Sequence, residues 1–240
     1  MSQLDLAVEA GVSARHVCFV ETGRSRPSAE MVIRLADHLD VPLRDRNALL
    51  LAAGYAPAYG QRDLEEPEMG PVREAIHRVL HAHEPYPAIV VDRHWGLVAG
   101  NGPVALLTAG VAAHLLEPPV NVLRLSLHPE GMAPRIANLG EWRAHLLDRL
   151  GRQAVLSGDP ALFALHEELA GYPGAEPAGA HDLEGGAIAV PLRVRVGDEE
   201  LGFISTATTF GTAADVTVSE LSIESFFPAD EPTARALRAR

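Results

Sequence analysis

The sequence predicts two domains of different class, a small all-α domain followed by a larger α+β domain with an antiparallel sheet and helices packed on one face. Three observations carry this reading. The 240 residues are 47% apolar and 22% charged, a globular balance long enough for one large or two modest cores. Residues Tyr55 to Pro71 hold three Pro, two Gly and a short acid run, with neither helical nor strand periodicity. The charge also steps there: through Arg62 seven Arg face seven acids, so the remaining thirteen Arg and twenty-five acids carry the whole net charge of −12. The expected division is a first domain over 1–58, a linker over 59–70, a second domain over 71–230 and a tail over 231–240.

In the first domain, Gln3 to Gly11 reads as a short helix with Leu4, Ala7 and Val8 on one face, stopped by Gly11. Ser13 is placed to cap the next helix, whose apolar positions Val17 and Val20 lie three apart. Two helices joined by a short turn containing Gly form the helix-turn-helix pattern. Arg24, Arg26 and Pro27 follow, and Ser28 caps a helix with Met31, Val32, Leu35, Ala36 and Leu39 as its stripe. A last helix, about Leu43 to Ala53, ends at Gly54.

The strings Gln3-Leu-Asp-Leu-Ala7, Ala10-Gly-Val-Ser13, Val20-Glu-Thr-Gly23, Pro27-Ser28 and Leu39-Asp-Val41 resemble the DNA-binding domain of the XRE family of repressors. The resemblance implies that the helix after the Gly-Val-Ser turn lies in the major groove of double-stranded operator DNA. By position, Ala14, Arg15, His16, Cys18 and Phe19 would face the groove. Arg15 suits guanine O6 and N7, and Phe19 a thymine methyl. Gln3, Ser13, Arg24 and Arg26 would hold phosphates, which set register rather than sequence. Cys18 has no second Cys to resolve an oxidised form, so a small groove-facing residue is the simpler reading. Domains of this family begin with a helix ahead of the one at Gln3; without it, Leu4 and Val8 would lack a packing partner.

In the second domain, Pro71 to His83 reads as a helix with Val72, Ala75, Ile76, Val79 and Leu80 on one face. Ala88–Val91 and Gly96–Ala99 read as a hairpin. Helices are expected near 103–116, 139–157 and 160–170, then strands over 187–196, 200–210 and 216–226, the first two joined by a Gly197-Asp198 turn. Two early strands, helices and three late strands is the order of a PAS-like sensor fold.

Glu84-Pro-Tyr-Pro-Ala88, Val91-Asp-Arg93, Pro119-Val-Asn-Val-Leu-Arg124, Leu127-His-Pro-Glu-Gly131, Ala133-Pro-Arg-Ile136, Glu141-Trp-Arg-Ala-His145 and Leu221-Ser-Ile-Glu-Ser-Phe-Phe-Pro-Ala-Asp230 are similar to the MmyB-like ligand-binding domain that follows an XRE-type domain in transcriptional regulators. The resemblance spans about residues 70 to 230. It implies a PAS-like domain with a largely apolar pocket for a small lipophilic ligand, a fatty acid among the candidates. His128, Trp142, Arg143, Arg193, Phe203 and Phe210 would supply aromatic walls and cationic groups for a carboxylate.

Other signals point to no chemistry. Gly100-Asn-Gly102-Pro-Val-Ala105 matches a dinucleotide fingerprint, but the preceding strand closes an antiparallel hairpin and no alternating strand–helix series follows. His77 and His81 are one helical turn apart, yet no carboxylate completes a ligand set, and a solvated helix face is the simpler reading. A single Cys excludes an internal disulfide framework. No nucleophile, base and oxyanion site assemble, so neither an enzyme nor a cofactor is expected. The expectation is a cytoplasmic, homodimeric, ligand-responsive regulator with no membrane segment. The alternative is a ligand carrier that has lost DNA binding.

Overall fold

A computed structural model describes residues 2–174 and 190–240. The chain forms two compact units, residues 1–72 with 210–220, and residues 73–209 with 221–240.

The first unit is helical: α1 (Gln3–Glu9), α2 (Ala14–Glu21), α3 (Ala29–His38) and α4 (Leu43–Ala52). Ser2, Ser13 and Ser28 each accept a backbone N–H of the first turn, so three of the four helix starts are fixed by a serine cap. Leu6, Ala7 and Val17 form a small core flanked by Val12, Ala14 and Leu35. This corrects the expected face of α1: Leu4 and Val8 are 63% and 72% exposed, and the buried positions are Leu6, Ala7 and Ala10. In α3, Val32 and Ala36 are buried as expected, whereas Leu39 is the exposed C-cap.

The second unit begins with α5 (Gly70–Ala82), most of which it holds, and continues through β1 (Ala88–Val91), β2 (Leu97–Gly100), α6 (Val104–Thr108), α7 (Val122–Leu127), α8 (Leu139–Ser157), α9 (Pro160–Ala170), β3 (Leu192–Val196) and β4 (Glu199–Thr209). After α10 (Val216–Ser219), which belongs to the first unit, come β5 (Ser222–Pro228) and α11 (Glu231–Arg238). Among the described residues the sheet has five strands in the order β2-β1-β5-β4-β3, every neighbour antiparallel. This is the α+β, PAS-like architecture the element order predicts.

Three expected elements differ from the structure. The stretch 103–116 is not one helix: α6 ends at Thr108, and Gly110 adopts a positive φ of 74° before a short 3-10 turn at Ala113–Leu115. The strand expected from 216 begins only at Ser222, because the Asp215 carboxylate caps Thr217 and starts α10. The tail over 231–240 is a capped amphipathic helix that buries Thr233, Ala234 and Leu237. For the strand expected from 187, residues 187–189 lie outside the described residues.

The core of the second unit lies between one sheet face and the helices. Trp142, Leu146, Leu150 and Ala154 recur at four-residue spacing on α8 and are all buried, with Leu162, Leu165 and Leu169 of α9 in the same cluster. Burying each such leucine contributes about 1.5–3 kcal/mol. The helix α8 stops at Gly158, whose φ of 64° is the left-handed C-cap conformation that glycine adopts without steric cost.

Candidate functional site

The start of α2 is set by Ser13, whose hydroxyl accepts the His16 N–H at 3.2 Å. The cap uses one lone pair of the hydroxyl and leaves its proton to donate to a phosphate. On the outer face of α2, Arg15 is exposed and its guanidinium lies 5.1 Å from the Phe19 ring centroid. Arg24 approaches the same ring at 6.0 Å, so one aromatic plate steadies two cations. His16, Cys18 and Phe19 are half-buried.

Three expected DNA contacts have other duties. Ala14 packs against the small core. Gln3 donates to the Glu21 carboxylate. Arg26 donates from Nε and Nη2 to the Ala53 carbonyl at 3.0 and 2.6 Å and stacks 5.2 Å from the Tyr55 ring, so it closes the C-terminus of α4 rather than reaching for phosphate. Arg15 and Arg24 remain as the cations of the face.

The second unit holds a cavity of about 90 Å³ lined by α6, α7, α8 and all five strands. Its walls are mainly apolar, with Leu107, Leu123, Leu146 and Phe226 among them, and both tryptophans of the chain face it. The Trp95 backbone is in the left-handed region at φ 66°, costly for a bulky residue. The Asp92 carboxylate holds that turn by accepting the N–H groups of His94 and Gly96 at 2.7 and 2.8 Å. Trp95 Nε1 donates to Gln153 and Trp142 Nε1 to the Ser126 hydroxyl, so neither ring leaves a buried donor unpaired.

The polar end of the cavity is an ion pair. Arg149 on α8 donates from both terminal nitrogens to Glu224 on β5, at 2.6 and 3.1 Å, and stacks 4.6 Å from the Trp95 ring. The Glu224 side chain is 5% exposed and that of Arg149 30%. Burial and the neighbouring Arg149 guanidinium hold the His145 imidazole, beside Trp142, below its ordinary range.

Of the six residues expected to contact ligand, the structure brings only Trp142 to this cavity. Phe203 is fully buried and meets Phe226 edge to face in the core. Arg143 donates to the Ala170 carbonyl, closing α9. Arg193 is exposed on β3, at the sheet edge, and Phe210 belongs to the first unit. His128 packs between the His114 and Tyr172 rings. His114, His128 and Glu130 bring ligand atoms within 4.8 Å of one another. However, His128 Nδ1 accepts the Glu130 N–H at 3.1 Å, which leaves the proton of the neutral ring on Nε2 instead of a lone pair for a metal. The residues that sequence reasoning missed, Arg149 and Glu224, carried a usable signal. Arg149 follows Trp142 by seven residues on one helix, and Glu224 alternates with Phe226 on one strand face.

A helix-turn-helix unit on one chain with an α+β domain holding an apolar cavity is the architecture of ligand-responsive transcriptional regulators. Residues 72–239 match the MmyB-like transcription regulator ligand binding domain, and the chain belongs to that family. Residues 1–45 match the helix-turn-helix family. No curated protein matches the chain. A solved structure described as an RNA-binding light-oxygen-voltage receptor is similar at 17% identity and a TM-score of 0.26, over 99% of this chain and 54% of that one. The chain thus spans about half that receptor's length.

Proposed function

We propose that this chain is a one-component transcriptional regulator that reads operator DNA with α2 as a homodimer and answers to a lipophilic, fatty-acyl-like ligand in the second unit. It acts by binding rather than catalysis. The observation that carries the reading is the apolar cavity bearing both tryptophans on the same chain as a helix-turn-helix unit. At about 90 Å³ the cavity is smaller than the roughly 300–1,000 Å³ of typical ligand pockets, so a long acyl chain must part its walls. Entry is thereby tied to a change of shape, and a ligand shifts an equilibrium only through such differential binding.

The chain path supports coupling between ligand and DNA. The chain leaves the sheet at Thr209, contributes residues 210–220 to the helical unit, and returns as β5. Within the helical unit Glu220 accepts two bonds from Arg44 of α4 at 2.6 and 2.9 Å, and Asp215 pairs with Arg62. The strands on either side of this excursion carry Ser205, Glu224 and Phe226 of the cavity wall. No helix among the described residues is long and apolar enough to cross a membrane, which fits action on DNA in the cytoplasm.

The test is fluorescence anisotropy of the full chain on its own promoter region, at two salt concentrations, with and without a cell lipid extract. Specific, salt-steep binding that changes with lipid is the expected result. A second reading is a ligand carrier without DNA binding. Ligand-induced tryptophan shifts with no DNA binding under any condition would select it.

A further inference from the structure

We propose that the cavity selects an uncharged lipophile carrying a hydrogen-bond-accepting oxygen, an ester, lactone or alcohol, and discriminates against the free carboxylate. The inference rests on the reading of this cavity as a lipophilic ligand site. Among the described residues that line it, Arg149 is the one cation, and its charge is already matched. Both terminal nitrogens of Arg149 engage Glu224, and one face of the guanidinium lies on the Trp95 ring. This fork-to-fork pairing is the geometry in which guanidinium holds a carboxylate most strongly.

A ligand carboxylate has two ways to use Arg149, both unfavourable. If Glu224 stays, two carboxylates share one guanidinium within a mainly apolar wall, and like charges in low dielectric repel strongly. If Glu224 is displaced, a side chain that is 5% exposed keeps its charge with the Ser222 hydroxyl, at 3.4 Å, as its remaining side-chain partner. Breaking a buried pair costs more than a new surface pair returns.

An uncharged oxygen meets neither penalty. The Ser126 hydroxyl accepts the Trp142 Nε1–H at 3.1 Å, which leaves its own proton to donate, and Ser205 also lines the cavity, whereas the Thr108 hydroxyl is turned to the Val104 and Ala105 carbonyls at 3.4 Å. The polar groups on offer therefore suit a neutral acceptor at the end of a hydrocarbon body.

The test uses the full chain and its two tryptophans, both on the cavity wall, as the fluorescent readout for 1-decanol, methyl decanoate and sodium decanoate at pH 7.5, with calorimetry as a second measure. Decanol and methyl decanoate are expected to bind about tenfold more tightly than decanoate. Glu224→Gln, which leaves Arg149 without a counter-charge, is expected to narrow or invert that ratio. Decanoate binding the unaltered protein as tightly as decanol overturns the proposal, without need of a variant. A ratio unchanged in a folded Glu224→Gln protein assigns selectivity elsewhere and also overturns it. Binding of none of the three refutes the lipophilic reading itself, a result distinct from decanoate being preferred.

Discussion

Arg15 as base reader and Arg26 as phosphate contact are both expected from the sequence, and their surroundings separate them. Arg15 is exposed on α2 over Phe19, free to extend into a groove. Arg15→Ala is expected to cost about 1–3 kcal/mol at one base position, measured by anisotropy across single-base operator variants. A uniform loss across all of them would make it a phosphate contact instead. Arg26 is spent on the carbonyls that end α4. Arg26→Ala should therefore lower the thermal stability of the helical unit by about 1 kcal/mol and leave the salt slope of DNA binding unchanged. A slope reduced by about one unit would return Arg26 to the phosphate set.

At the scale of elements, helix starts are governed by single side chains, and Asp159 shows the electrostatic consequence. Its carboxylate caps α9 at the Ala161 N–H and also meets His94 and Arg93 of the β1–β2 turn. The bond to His94 leads, with the Ala161 N–H and Arg93 adding, in holding the Asp159 pKa down to about 2. A depressed folded-state pKa stabilises the fold above the unfolded value near 3.8 and ceases to do so as pH falls from there through 2. Asp159→Asn is thus expected to cost about 1–2 kcal/mol at pH 7, after allowance for solvent screening, and progressively less between pH 4 and 2. Chemical denaturation across that pH range measures it; a penalty constant with pH would mean that capping alone matters.

Over the whole molecule, the excursion of residues 210–220 into the helical unit is the chain path through which the proposed regulator would tie ligand to DNA. Glu220→Ala removes the carboxylate that Arg44 grips, and Glu220 is not one of the residues that line the cavity. The expected outcome is decanol binding within about twofold of the unaltered protein, while the ligand-dependent change in operator affinity falls several-fold. An undiminished ligand response would exclude this segment as the coupling route.

The sequence by itself determined the local features: the helix caps at Ser13 and Ser28, the Gly-Val-Ser turn, the period of α8 and the Gly197-Asp198 hairpin, each of which depends on neighbours within a few residues. It also determined the order of the strands and of the longer helices, and hence the two fold classes. The tertiary structure alone decided which polar groups meet. Arg149 and Glu224 are 75 residues apart in the chain, and their pairing depends on where α8 lies over β5. Arg143, by contrast, is six residues before Arg149 on the same helix and was turned by that packing to the carbonyls of α9 instead. The strand expected at 216 gave way to α10 because the Asp215 carboxylate caps it there, and Asp215 itself is held by Arg62 from 153 residues away. Periodicity sets the face of a helix or strand, but the long-range partner that neutralises a buried charge is chosen by packing and desolvation, which no local pattern encodes.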